Sequence, residues 1–195
     1  GSTSGIGLGI AREFAKTKKY NIIFNGLEPN GQQIADEIAK EFGLQVMYSN
    51  ANMLKPEELR TMVSDGILKF GKIDVLINNA GIQHVSPIED FPDDKWNAII
   101  GINLTSAFYL SKAVWPGMKE RKFGRIINIA SAHGLVASEF KSAYVASKHG
   151  IVGFTKTLGL EGAPFNITCN AICPGYVKTP LVEKQIADQA KAHNM

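Results

Sequence analysis

Apolar positions along the chain fall into two alternating kinds of run. Over 6–19, Ile6, Ile10, Phe14 and Ala15 recur at helical spacing, and 32–42 reads as a second amphipathic helix. Between them 20–24 is a short β-rich run, and 44–48 is another. Pro56-Glu57-Glu58 opens a further helix, because proline suits the first turn and acids favour the positive dipole end. The run 73–77 is apolar throughout and predicts a buried strand, after which Asp93 caps a long helix to about Met118. Strands over 125–129 and 167–172, a helix over 142–160 and a last helix beginning near Leu181 complete the order. Short apolar strands alternating with helices indicate a parallel sheet covered on both faces. With no linker, repeat or low-complexity stretch, the expected fold is one doubly wound α/β domain over 1–195.

Gly1 already stands inside a glycine-rich turn with no strand before it, and the chain stops at Met195 soon after a helical stretch begins. Both ends read as truncations. Composition narrows the classes of function. The 195 residues are 45% hydrophobic and 20% charged, a globular balance. A net charge of +3 without a dense Lys/Arg run argues against a nucleic-acid partner, and no apolar stretch reaches membrane-spanning length. Cys169 and Cys173 lie in an apolar segment with no Cys or His pair nearby, which points to packing and to no metal site.

The candidate chemistry begins with Tyr144 and Lys148. Four residues apart on a helix, they share a face one turn from each other. A phenol with a pKa of about 10 is no base near neutrality. A fixed cation roughly 5 Å away, at an effective dielectric of about 20, favours the phenolate by about 3 kcal/mol. That is on the order of two pKa units, so the pair is expected to form a tuned proton-transfer group, with Ser131 as a hydrogen-bond donor to a substrate oxygen. The alternative is an ordinary tyrosine–lysine pair on a helix surface.

The glycine turn supplies a setting. Gly1-Ser2-Thr3-Ser4-Gly5-Ile6-Gly7 opens the first helix, where glycines let the chain approach a pyrophosphate and the helix offers unpaired amides and its positive dipole end. Asn78-Asn79-Ala80-Gly81 follows the 73–77 strand, and Pro174-Gly175 follows 167–172. Strand ends of this kind are where open α/β sheets bind ligands, and three of them converge on one crevice.

Together with Asn103, Ser131 and Tyr144-x-x-x-Lys148, these motifs resemble the short-chain dehydrogenase/reductase family over the whole length. The resemblance implies a Rossmann-like nicotinamide-dinucleotide fold, its first strand expected before Gly1 and its last helix and strand beyond Met195. It implies that Tyr144 is the general acid/base, that Lys148 lowers its pKa and binds the nicotinamide ribose, that Ser131 orients the substrate oxygen, and that Asn103 holds a water in a proton relay. An asparagine inside the helical run 96–110 is a poor choice for helix stability, in keeping with a special role. The cofactor contacts so implied are Gly1, Ser2, Thr3, Ser4, Gly5, Ile6 and Gly7; Leu27 and Asn52; Asn79, Ala80 and Gly81; Tyr144 and Lys148; and Pro174, Gly175, Val177 and Thr179.

NADP needs cationic partners for its extra phosphate, which the family carries in the glycine turn or just after the second strand. Those places hold Ser4 and Asn25-Gly26-Leu27, so NAD is the expected cofactor. An acidic residue for the adenosine ribose is absent there, leaving the backbone near Leu27. Asn52 stands where many members carry an aspartate near the adenine.

His133, two beyond Ser131, Lys141, three before Tyr144, Gln83 and Gln185 gather around the same crevice and form a small anion site suited to a carboxylate. Taken singly, Lys141 also reads as a solvated surface charge and His133 as a satisfied loop histidine. The segments 80–85, 131–138 and 176–182 are similar to the bacterial branch of the family acting on D-3-hydroxybutyrate, in which these four positions hold the substrate carboxylate. The implied reaction is reversible oxidation of (R)-3-hydroxybutyrate to acetoacetate, by a cytoplasmic homotetramer. Another substrate, such as a 3-oxoacyl thioester or a sugar, and a non-catalytic NAD-binding module stand as alternatives; intact Ser131, Tyr144, Lys148 and Asn103 argue against the module.

Overall fold

The computed structural model describes residues 1–179. Helices and strands alternate as α1 (Gly5–Thr17), β1 (Ile22–Asn25), α2 (Gly31–Phe42), β2 (Val46–Ser49), α3 (Pro56–Phe70) and β3 (Val75–Asn78). They continue as α4 (Asp93–Ile100), α5 (Ser106–Arg121), β4 (Gly124–Ile129), α6 (Ser142–Gly162) and β5 (Ile167–Ile172). The helix expected from Leu181 lies outside the described residues.

Every described strand pairing is parallel. Ile22 stands opposite Val46, Val75 opposite Arg125, and Gly124 opposite Ile167. The sheet is divided into a two-stranded part, β1–β2, and a three-stranded part, β3–β4–β5. Among the described residues no strand pairs with the facing edges of β1 and β3. Between them lies a cavity of about 400 Å³, walled by apolar side chains that include Ile10, Phe14, Ile23, Met62, Leu76 and Leu110.

Neighbouring strand residues show the two-sided covering directly, because successive side chains point to opposite faces. Phe24 packs with Ala11 and Ala15 of α1 and Ala35 and Ile38 of α2. Ile23 packs instead on the larger cluster of Leu59 and Val63 from α3, Leu110 and Val114 from α5, and Ile126 and Ile167 from the three-stranded part. One helix pair therefore covers one face and the later helices cover the other, which is the doubly wound arrangement.

The long helix expected from Asp93 is interrupted. Pro92, rather than Asp93, is its N-cap; Asp93 and Asp94 sit in the first turn, where their charge favours the dipole. A π-helical turn, Gly101–Thr105, then separates α4 from α5. Such turns insert a residue into the helical ladder and turn the following side chains to new directions. Here the turn carries Asn103.

Candidate active site

All the strand C-termini open toward one side, and the segments leaving them line a single crevice of about 510 Å³. Gly1, Ser4, Gly5 and Ile6 form its wall at the start of α1, and Leu27, Glu28 and Asn52 stand beyond β1 and β2. Asn79, Ala80 and Gly81 follow β3, Ser131 follows β4, and Pro174, Gly175, Val177 and Thr179 follow β5. Tyr144 and Lys148 reach the same crevice from α6. Most of the expected cofactor positions therefore come together; Ser2, Thr3 and Gly7 sit behind the wall instead.

Those three residues hold the turn in shape. Ser2 N–H donates to the Asn25 carbonyl at 2.6 Å, and Asn25 N–H donates to Ser2 Oγ at 2.9 Å. A Cβ at Gly7 would collide with the Gly1 carbonyl oxygen and with Asn79 Nδ2, which itself donates to that oxygen at 2.5 Å. Glycine is thus required where α1 meets the segment after β3.

Glu28 is a residue that the reading of the sequence missed. Its carboxylate accepts hydrogen bonds from Thr3 Oγ1 and, at 2.9 Å, from Ser4 Oγ. Burial works against its charge, but the bonds from Thr3, its own backbone and Ser4 outweigh that and hold the carboxyl below its ordinary range. The ribose contact expected from the sequence is the backbone near Leu27; Glu28 is the next residue. Its pull on Ser4 also matters for α1. Ser4 is the N-cap, yet its side chain makes no cap bond and the first turn carries no acid. The positive end of α1 is left open to the crevice, and a dinucleotide pyrophosphate fits such an end.

Asn103 is buried and tightly committed. Its Oδ1 accepts from Ile82 N–H at 2.8 Å, while Nδ2 donates to the Ile82 carbonyl at 2.9 Å and to Ser147 Oγ at 3.1 Å. Both amide hydrogens are used, and Oδ1 keeps one lone pair for a further donor. The side chain fastens the segment after β3 to α6. A Cβ placed on Gly81 would lie 3.5 Å from Asn103 Oδ1 and 3.8 Å from Lys148 Nζ, which shows how closely these groups meet.

Lys148 is 4% exposed. Its ammonium donates to the Ile129 carbonyl at 2.7 Å and lies 5.6 Å from the centre of the Tyr144 ring. The separation matches the one assumed from the sequence, but the electrostatics differ. Burial pushes Tyr144 above its ordinary value of 10.0, with the hydrogen bond to Ser131 acting the other way. Burial also pushes Lys148 down from 10.5 to about 8, opposed by the Cys173 sulfur. The expected lowering of the phenol by Lys148 is therefore not seen in the free protein, where burial is the largest influence on each group and holds Tyr144 above its ordinary value.

A stability consequence follows. Between pH 8 and 10.5 the unfolded chain keeps the lysine proton that the folded chain releases, so folding gains with rising pH. The unfolding free energy of the protein, relative to a Lys148→Met variant, is expected to climb across that window by up to about 3 kcal/mol. Lost again as pH falls through 8, this contribution is measured by urea denaturation of both proteins at the two ends of the range. A difference that does not change with pH would mean that the ammonium is solvated.

The substrate end is built around the short 3₁₀ turn Ala132–Gly134. Ser131 caps it, accepting His133 N–H at 3.1 Å, and a Cβ at Gly134 would come within 2.7 Å of the Lys148 carbonyl oxygen. Only glycine lets this turn lie against α6. The His133 ring meets Tyr144 edge to face with centres 5.9 Å apart, and its Nε2 is 2.7 Å from Ser138 Oγ. Burial, and then the Lys141 charge, hold His133 below its ordinary pKa, so it is neutral at neutral pH.

Lys141, immediately before α6, is 4% exposed, and among the described residues its ammonium has neither a hydrogen bond nor an ion pair. Ser86 N–H donates to the Phe140 carbonyl at 2.9 Å and brings the segment after β3 alongside. On that segment Gln83 Nε2 is buried and unpartnered. Among the described residues Lys141 and Gln83 thus keep donors to spend, while the neutral His133 ring, edge to face with Tyr144, already meets Ser131 Oγ and Ser138 Oγ. Gln185 lies outside the described residues. Among the described residues no cluster of side chains could hold a metal ion, and no helix is long and apolar enough to cross a membrane.

Known proteins resemble this chain over nearly its whole length. The family model described as short chain dehydrogenase matches residues 1–190. A D-beta-hydroxybutyrate dehydrogenase of Cupriavidus necator is 54% identical over 191 residues, covering 98% of this chain and 74% of that protein. One of the same name from Rhizobium meliloti is 53% identical over 197 residues, covering 100% and 76%. An uncharacterized oxidoreductase of Bacillus subtilis, YxjF, is 45% identical over 196 residues, covering 100% and 76%.

Proposed function

This chain belongs to the short-chain dehydrogenase family of oxidoreductases, and we propose that it interconverts (R)-3-hydroxybutyrate and acetoacetate with NAD. The observation that carries the substrate is Lys141, 4% exposed and without an ion pair among the described residues, close enough to His133 to repel its charged form. Burying an ammonium without a counter-charge is costly, and a substrate carboxylate would supply that charge. A neutral thioester or sugar would not.

NAD, when bound, supplies the hydride acceptor. Tyr144 Oη takes the proton of the substrate hydroxyl in oxidation and returns it to the carbonyl oxygen in reduction, at hydrogen-bond distance. Ser131 Oγ holds that oxygen in place. Lys148 adds positive charge beside the phenol and keeps N–H donors free for the nicotinamide ribose. Asn103, through its remaining lone pair, takes a water at the inner end of this chain of groups. Gln83, His133, Lys141 and Gln185 hold the carboxylate. The same reading carries a homotetrameric assembly through the outer faces of α5 and α6, where Phe108 and Leu160 are exposed, and a cytoplasmic location.

The preference for NAD rests on Glu28. Its ionised carboxylate stands beyond β1 in the crevice, where it would accept from a ribose hydroxyl and repel a phosphate on the same ribose. The test is a set of initial rates with (R)-3-hydroxybutyrate and its methyl ester, each with NAD and with NADP. Faster turnover of the acid, and NAD over NADP, is the expected result. Glu28→Gln should shift the ratio toward NADP by roughly tenfold, the effect of removing about 1.4 kcal/mol of repulsion. A preference for the ester would overturn the carboxylate reading, and an unmoved cofactor ratio would overturn the role of Glu28.

A further inference from the structure

Lys141 poses a problem that its own surroundings answer. A long, flexible lysine without a hydrogen bond or ion pair would ordinarily turn its ammonium out into water. Here the residue is 4% exposed. His133 supplies no counter-charge, because burial and the Lys141 charge keep its imidazole neutral. The group that faces the ammonium is the ring of Tyr176, whose centre lies 5.8 Å from Lys141 Nζ. Tyr176 comes from a different part of the chain, the segment that leaves β5 through Pro174-Gly175, and is itself 73% exposed. An aromatic ring that leaves most of its surface in water while lying under a buried cation gains little from apolar burial there.

We propose that Tyr176 is a positioning residue for substrate binding, its ring face holding the Lys141 ammonium in the pocket before the carboxylate arrives. The inference rests on the carboxylate reading given above. A ring suits this task better than an acid would. The negative face of its π-system attracts the cation without neutralising it and without occupying its N–H donors. All three ammonium hydrogens stay available to an incoming carboxylate, whereas an aspartate in the same place would compete with the substrate. The attraction needs the ring and not the hydroxyl, so phenylalanine replaces tyrosine and leucine does not.

The test compares Tyr176→Leu, Tyr176→Phe, Lys141→Ala and the double variant Lys141→Ala/Tyr176→Leu in steady-state assays with (R)-3-hydroxybutyrate and NAD. Tyr176→Leu is expected to raise the substrate KM roughly two- to fivefold, the size of an exposed cation–π contact, with a smaller change in kcat and none in the KM for NAD. Tyr176→Phe should restore the wild-type KM. In the Lys141→Ala background the leucine substitution should add nothing, since the two residues act as one unit. An equal rise in both backgrounds would place Tyr176 on the substrate itself and overturn the proposal, as would a phenylalanine variant as impaired as the leucine one. If Lys141→Ala raises KM and Tyr176→Leu does not, the positioning role alone falls. If Lys141→Ala leaves KM unchanged, the carboxylate reading fails and the proposal with it.

Discussion

Tyr144→Phe is expected to lower kcat by about 10²–10⁴ in both directions while the affinity for NAD, measured by fluorescence titration, stays within about twofold. The substitution removes one oxygen and leaves the ring, which meets the His133 imidazole edge to face at 5.9 Å. Nothing in α6 depends on that oxygen for its fold, and Lys148 keeps its bond to the Ile129 carbonyl. What disappears is the group that exchanges a proton with the substrate oxygen. Burial keeps the phenol protonated near neutrality, so the free protein is poised as an acid, for ketone reduction. Oxidation needs the phenolate, and its rate should rise with pH as reduction falls. The variant should lose that opposite pair of slopes along with its activity. Turnover retained at the wild-type level would remove Tyr144 from the chemistry.

The same residue shows what a sequence can and cannot convey about a site. Spacing alone placed Tyr144 and Lys148 on one helix face, and the observed 5.6 Å from ammonium to ring centre agrees with it. Spacing carries no information about burial, and burial reverses the sign of the shift on the phenol. Lys141 shows the same limit from the other side. Taken singly it reads as a solvated surface charge, and only the fold shows the residue enclosed, with its ammonium over the Tyr176 ring. Glu28 escapes the sequence pattern because strand ends are blurred at the level of single residues: the run 20–24 stops one residue short of Asn25, the last of β1. The apolar runs 20–24 and 73–77 begin two residues before the ladders of β1 and β3, at Ile22 and Val75. A ladder starts only where a partner strand does, and Tyr20 and Asn21 are exposed ahead of β1. β4, paired on both sides, matches its apolar run within a residue. The π turn at Gly101–Thr105 was visible only as an asparagine in an awkward place, since nothing in a helical repeat announces one extra residue.

Lys141→Ala should raise the KM for (R)-3-hydroxybutyrate by about 10- to 100-fold, with kcat reduced less and the KM for NAD unchanged. The argument is one of unequal losses. Among the described residues the ammonium has no counter-charge, so its removal should leave the fold as stable or slightly more so. In the complex, the removal leaves the carboxylate without its cation, and a charge-assisted hydrogen bond of about 1.5–3 kcal/mol is lost. Binding therefore bears nearly the whole effect, and stability bears little. A thermal melt that does not fall, together with a large rise in KM, separates this outcome from simple damage to the fold. The methyl ester supplies the second control, because it has no charge for the lysine to meet and its KM should scarcely move. Loss of charge alone, as in Lys141→Met, should reproduce the alanine result for the acid, since the methionine keeps the packing and lacks only the cation. Equal KM values for the acid in wild type and in both variants would mean that the substrate carboxylate does not bind at Lys141. The carboxylate reading of this pocket would then fall.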